Sequence, residues 1–170
     1  IQIPPAEAAF VSMNPKNGHI KTYIGGTNFL KTKFDRVRQS FPQTGSSFKP
    51  FIYASAISRG YDASSLINDA PIIFEDENLE DYWRPENYTK KFYGLTRLRE
   101  ALVQSINIVS IKLLRNIGVE NVRNDLQAFG FEKRRLPSDL SLALGSSSFS
   151  PIEMTRAFSI LVNDGKIYSQ

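Results

Sequence analysis

Cysteine is absent from the 170 residues, which excludes a thiol nucleophile and any metal site built on thiolates, and leaves the redox compartment open. Histidine occurs once, at His19, within a segment that reads as a turn. A Ser-His-Asp hydrolase or a His-rich zinc site would have to be assembled from that single imidazole. No apolar run approaches the ~20 residues that cross a bilayer, and the N-terminal IQIPPAEAAF has no basic segment ahead of an apolar one. An excess of one charge is also missing: 21 Lys and Arg stand against 17 Asp and Glu, for a net charge of +4. That balance is compatible with an acidic polymer partner but lacks the dense basic stripe of a nucleic-acid binder, so no nucleic acid is expected. Hydrophobic residues at 41% and charged residues at 22% are ordinary globular usage, which argues against disorder and against fibrous repeats. A chain of this length buries roughly two-thirds of its unfolded surface, enough for one core.

Two short alternating runs open the chain. Ala8 to Met13 and His19 to Ile24 read as strands joined by a turn at Asn14-Pro15-Lys16-Asn17-Gly18, whose Asn-Gly pair is a strong hairpin signal. Thr27 to Phe41 is polar and basic, with Lys31, Lys33, Arg36 and Arg38, and reads as an exposed loop. From Ser46 or Ser47 to Arg59 the apolar residues Phe48, Phe51, Ile52, Ala56 and Ile57 recur at helical spacing, and Gly60 closes the pattern. Pro50 limits the helix to a start about one turn earlier, near Ser46. Asp62 to Tyr93 shows little periodicity and includes an acidic run from Glu75 to Asp81, whose spacing fits no cation-binding loop. Thr96 is placed to cap a helix with Leu98, Ala101 and Leu102 on its apolar face. A second helical pattern resumes at Val109, Leu113 and Ile117 before Gly118. Ser105-Ile106-Asn107 interrupts the two, and its Ser and Asn side chains compete for backbone hydrogen bonds. Val119, Val122, Leu126 and Phe129 line a further helix ending at Gly130. Ser150-Pro151-Ile152-Glu153 is a capping box with proline at the first helical position, followed by a predicted buried stripe of Met154, Ala157, Phe158, Leu161 and Val162.

Ser46-Ser47-Phe48-Lys49 places a serine and a lysine three residues apart at a predicted helix start, on one face. A serine becomes a nucleophile when a base takes its proton, and a partly desolvated lysine amine can serve. Backbone N–H groups at a helix start also favour developing negative charge. The alternative for these four residues is a surface helix with a solvated lysine. Ser105 and Asn107 add a hydroxyl able to relay a proton and an amide able to orient a peptide group. Ser12-Met13-Asn14 has the same spacing at a strand end and reads as a decoy.

QTGSSFKPF (Gln43 to Phe51) and LREALVQSINIVSIKLLRNIG (Leu98 to Gly118) resemble the transpeptidase domain of class A penicillin-binding proteins. So do NPKNGHIKTYIGG near the start, WRPENY in the middle and LALGSSSFSPIEMTRAFSILVNDG near the end, all in the family's order and covering nearly the whole chain. The resemblance implies an α/β fold, the penicillin-binding-protein and serine β-lactamase-like fold, in which a mainly antiparallel sheet is flanked by helices. It implies D,D-transpeptidation of peptidoglycan stem peptides through a serine acyl-enzyme at D-Ala-D-Ala, and acylation of the same serine by β-lactams. Ser46 then resembles the nucleophile and Lys49 its proton acceptor, with Ser105 and Asn107 as the second motif. Asn107 would orient substrate, and Trp83, with Tyr88, would wall the cleft, packing being the alternative for both. No cofactor and no metal is implied. The family's Lys-Thr-Gly or Lys-Ser-Gly motif is not in these residues, since Lys31-Thr32-Lys33 lacks the glycine and precedes the nucleophile. Residues 1–170 are therefore expected to be a partial transpeptidase domain: the N-terminal β-hairpin plus most of the helical part, with later sheet strands beyond Gln170. The parent is expected to be membrane-anchored, working at the periplasmic face. An unpaired hairpin edge favours a homodimer of the piece. A serine β-lactamase-like hydrolase and a non-catalytic scaffold with a basic surface are the competing readings.

Overall fold

The computed structural model describes residues 6–73 and 83–168. Its N-terminal hairpin pairs β1 (Phe10–Met13) with β2 (Ile20–Ile24) in antiparallel register from Phe10 opposite Ile24 to Met13 opposite Ile20, with an irregularity between Ser12 and Met13. The connection is the expected turn from Asn14 to Gly18. Asn14 organises it: its N–H donates to His19 O, its carbonyl accepts from Gly18 N, and its Oδ1 accepts from Lys16 N. Gly18 alone in this turn takes a positive φ, whereas a two-residue type I′ turn needs two such residues in succession.

The segment from Thr27 to Phe41, read as a loop, contains a one-turn helix, α1 (Arg36–Gln39). Asp35 caps it by accepting from Val37 N at 3.0 Å, and the fully buried Val37 anchors it to the body. Asp62 to Tyr93 and the residues just after it also need correction. β3 (Leu66–Asp69) pairs antiparallel with β4 (Gly94–Arg97), and Thr96, expected as a helix cap, is a buried strand residue whose hydroxyl donates to Gly94 O. Strands of four residues with alternate ones buried are too short to stand out as a period. The acidic run from Glu75 to Asp81 lies outside the described residues.

The helical part is built around α4 (Asn107–Ile117), in which Ile108, Val109, Ile111, Leu113 and Leu114 are all buried. A helix apolar on more than one face has to be surrounded. α2 (Lys49–Ser58), α3 (Leu98–Val103), α5 (Val119–Asp125), β3 and a 3₁₀ segment at Leu140–Leu144 pack around it. The helix predicted from Val119 to Phe129 divides into α5 and a 3₁₀ turn (Leu126–Phe129), with Gly130 in the left-handed region closing it. Against α2 lies a phenylalanine cluster: Phe48, Phe51, Phe131 and Phe149 are buried, with ring centroids 4.6–6.1 Å apart. Each such ring contributes about 1.5–3 kcal/mol by leaving water.

α6 (Pro151–Leu161) begins with the predicted capping box, Ser150 and Glu153 each bonding the other's backbone N–H. Its buried face matches the predicted stripe only at Ala157 and, in part, Met154. Ile152, Ala157, Ser159 and Ile160 are buried, Met154 is half-buried, and Phe158, Leu161 and Val162 are exposed. β1 and α1 pack on this helix, and Phe158 reaches Phe51 at 4.9 Å between ring centroids. The covered face is thus chosen by neighbours distant in sequence rather than by local spacing.

Candidate active site

Ser46 lies in a 3₁₀ turn (Gly45–Phe48) that runs directly into α2, not in the α-helix itself. Lys49 N donates to Ser46 O, the i to i+3 bond that closes this turn and puts the two residues one 3₁₀ turn apart. The two differ in exposure. Ser46 is on the surface and its hydroxyl makes no hydrogen bond among the described residues, while Lys49 is only 1% exposed. Ser47 is exposed as well, but its hydroxyl is committed to Thr44 O at 2.6 Å.

The turn is held from across the molecule. Thr44 N donates to Ser147 O and Gly45 N to Gly145 O, both at 2.9 Å, and Thr44 Oγ1 donates to the same two carbonyls. Gln43 and Ser148 form an isolated antiparallel bridge. Gly45 and Gly145 both have positive φ and meet backbone to backbone: a Cβ on Gly145 would overlap the Gly45 carbonyl. Phe48, at the end of the turn, stacks on Phe149 and so fixes it from below.

The Lys49 amine donates to Ser105 O at 2.7 Å, to Ser105 Oγ at 3.0 Å and to Asn107 Oδ1 at 2.7 Å. Three acceptors use all three N–H groups of an ammonium. No carboxylate forms an ion pair with it among the described residues, and burial pulls its pKa down to about 8. A lysine of that pKa is ~10% neutral at pH 7, enough to serve as a base.

The junction of α3 and α4 explains how Ser105 reaches it. Ser105 N donates to Leu102 O and Ile106 N to Ala101 O, which is the hydrogen-bond pattern of a Schellman motif. That motif places glycine where Ser105 stands, in the left-handed region, and Ser105 has φ +54°. The break predicted at Ser105-Ile106-Asn107 is present, but its cause is this helix stop rather than competition from side chains. The strained backbone turns the Ser105 carbonyl and hydroxyl together onto Lys49, at a cost of order 1–3 kcal/mol. Asn107 opens α4, its Oδ1 on Lys49 and its Nδ2 donating to Glu86 O at 3.0 Å.

The structure therefore joins Lys49, Ser105 and Asn107 directly and leaves Ser46 on the adjoining exposed turn. Trp83 is half-buried and packs against the core, and Tyr88 is 98% exposed. The residue of WRPENY that does reach the site is Asn87, whose Oδ1 accepts from the backbone N–H of Asn107 and Ile108. Sequence reasoning singled out its aromatic neighbours instead. Among the described residues no group of His, Asp or Glu gathers as a metal site, and no helix is long and apolar enough to cross a membrane.

Residues 8–169 match the transpeptidase family described as the penicillin binding protein transpeptidase domain. The chain is similar to penicillin-binding protein 1A of Pseudomonas aeruginosa, 46% identical over 97% of this chain and 20% of that protein. It is also similar to the crystal structure of penicillin-binding protein 1A from Haemophilus influenzae, with a TM-score of 0.90 and 41% identity over 94% of this chain and 24% of that one. The PonA1 protein from Mycobacterium tuberculosis in complex with penicillin V matches with a TM-score of 0.78 and 25% identity, over 93% of this chain and 44% of that one. The chain thus spans about a fifth of the length of the curated relatives it matches.

Proposed function

The chain belongs to the penicillin-binding protein transpeptidase family and carries part of its fold, and on that premise we propose that it is the nucleophile-bearing portion of a longer peptidoglycan synthase. In this reading the enzyme cross-links stem peptides at the extracytoplasmic face of the membrane, through an acyl-enzyme on Ser46. Ser46 Oγ attacks the carbonyl of the D-Ala-D-Ala bond, and its proton passes to neutral Lys49. The ammonium then returns a proton to the departing D-Ala nitrogen. An amine of a second stem peptide attacks the ester, gives its proton to Lys49 and leaves the cross-linked amide, while Ser46 regains its hydrogen. A β-lactam opens on the same serine and stays attached.

The observation that carries this reading is the setting of Lys49: buried, without a carboxylate partner among the described residues, bonded to Ser105 and Asn107, and three residues after an exposed serine. Of its three acceptors, a backbone carbonyl and an amide oxygen can only accept. The Ser105 hydroxyl can reverse and donate to the lone pair of the neutral amine, which makes it the proton relay between Lys49 and the reacting groups.

The test is intact-mass measurement and peptide mapping of the full-length protein after incubation with a penicillin. A stable adduct on the Ser46 peptide, abolished by Ser46→Ala and kept by Ser47→Ala, is expected. A label on Ser47, rapid hydrolysis of the adduct, or no adduct would each overturn the reading.

A further inference from the structure

Asp69 is a carboxylate with 0% exposure and no Lys or Arg in ion-pair reach among the described residues. Burying a charge is costly unless hydrogen bonds replace the water, so what donates to it is informative. Asn87 Nδ2 donates to both carboxylate oxygens at 2.9 Å, and Tyr93 N donates to Oδ2 at 2.9 Å.

Asn87, 5% exposed, is saturated in turn. Its Nδ2 also donates to Lys91 O, and its Oδ1 accepts from Asn107 N at 3.0 Å and Ile108 N at 3.1 Å. Those are the first two N–H groups of α4, and Ile106, at the N-cap position of that helix, supplies no side-chain acceptor. Asn87 therefore caps α4 from outside the helix. An amide can cap only with its oxygen, and a carboxylate can only accept. Asp69 thus compels Asn87 to turn its NH2 inward and its oxygen onto α4. One residue earlier, Glu86 O takes the Asn107 Nδ2, which leaves Asn107 Oδ1 to face Lys49. Were the Asn107 amide reversed, its NH2 would meet the Lys49 ammonium, donor against donor.

We propose that Asp69 and Asn87 are positioning residues of the Ser46–Lys49 site, acting through the first turn of α4 and Asn107 on the hydrogen-bond frame around the Lys49 amine. This rests on the reading of Lys49 as the base. Three segments far apart in sequence, at residues 69, 86–87 and 107, thereby set which amide atom the lysine sees.

The test is saturation kinetics of acylation by a fluorescent penicillin in the full-length protein. Asn87→Ala is expected to lower the acylation rate constant ~10- to 100-fold, the scale of a misplaced catalytic group. The concentration giving half-saturation should stay within about threefold, because the lost placement acts on the chemical step. In an Asn107→Ala background the same substitution should slow acylation by less than about twofold more, since its route of action is already gone. If Asn87→Ala does not fold, Asp69→Asn is read in its place against the same background. It keeps the shape but sets an amide against the Asn87 amide. A full, additive effect in both backgrounds overturns the inference. So does an unchanged rate accompanied by a lower melting temperature. Labelling retained by Ser46→Ala strikes the nucleophile assignment alone, because the coupling of Asn87 to Asn107 is read on the acylation rate whichever serine carries the label.

Discussion

In the turn that carries Ser46, the restraining groups are mainly backbone: Thr44 and Gly45 bond to the Gly145 and Ser147 carbonyls, and two glycines meet face to face. In the junction that carries Ser105 and Asn107, they are mainly side chains, those of Lys49, Asn87 and Asp69. A hydroxyl that has to be presented to a substrate is best supported by atoms other than its own neighbours' side chains, which keeps the surface around it clear. An amine that has to be tuned needs the opposite, a dry shell of acceptors that cannot be replaced by water. The two regions should therefore fail differently, the first when an atom is added and the second when one is removed.

Gly145→Ala gives the largest effect. The new Cβ overlaps the Gly45 backbone, which cannot rotate away as a side chain would, and the residue would keep a positive φ. A loss of about 4 kcal/mol in the unfolding free energy from urea denaturation is expected, with acylation lost alongside. A loss below about 1 kcal/mol would show that the turn is more yielding than its geometry indicates.

Lys49 provides a pH test of the second region. Its pKa in the folded protein, about 8, is lower than that of an exposed lysine because burial disfavours the charge. Between the two values the unfolded chain holds a proton that the folded one has released, so stability rises with pH over that window. Measured against Lys49→Met, wild type should gain ~2 kcal/mol from pH 7 to pH 9.5. The acylation rate should climb with a midpoint near pH 8. A flat stability difference would mean that the amine is charged throughout.

The smallest effect separates backbone from side chain at Ser105. Ser105→Ala keeps the left-handed strain and loses the hydroxyl, whereas Ser105→Gly loses the hydroxyl and relieves the strain. The glycine variant should be about 1 kcal/mol more stable than the alanine variant, with acylation slowed equally in both. Equal stabilities would remove strain from the account of this junction.

What could be read beforehand follows the range of the interactions. The capping box at Ser150, the helix after Pro50 and the N-terminal hairpin are written in neighbouring residues, and these elements stand close to where the spacing puts them. The pair of short strands at Leu66 and Gly94 and the single turn at Arg36 leave no period to detect. The turn of α6 about its axis depends on β1 and α1, which a local pattern cannot register. The spacing of Ser46 and Lys49 is visible in four letters, but the partners of the amine lie 56 and 58 positions away: a helix break drew attention to them, and only a resemblance tied them to Lys49. Asp69 carried no signal, and Asn87 was visible only as one letter of WRPENY, because a buried carboxylate and an amide look like any loop residues until their contacts are known.

The lacing of Thr44 to Ser147 also has a consequence in time. The two are 103 positions apart, so the turn that presents Ser46 cannot be completed until a stretch synthesised much later has emerged and folded back. At ~5–20 residues per second that interval is ~5–20 s on the ribosome. Helices α2 to α5 can form and pack meanwhile, but the serine turn waits for the arriving segment. Ser46 is thereby among the last residues of this region to take its final place.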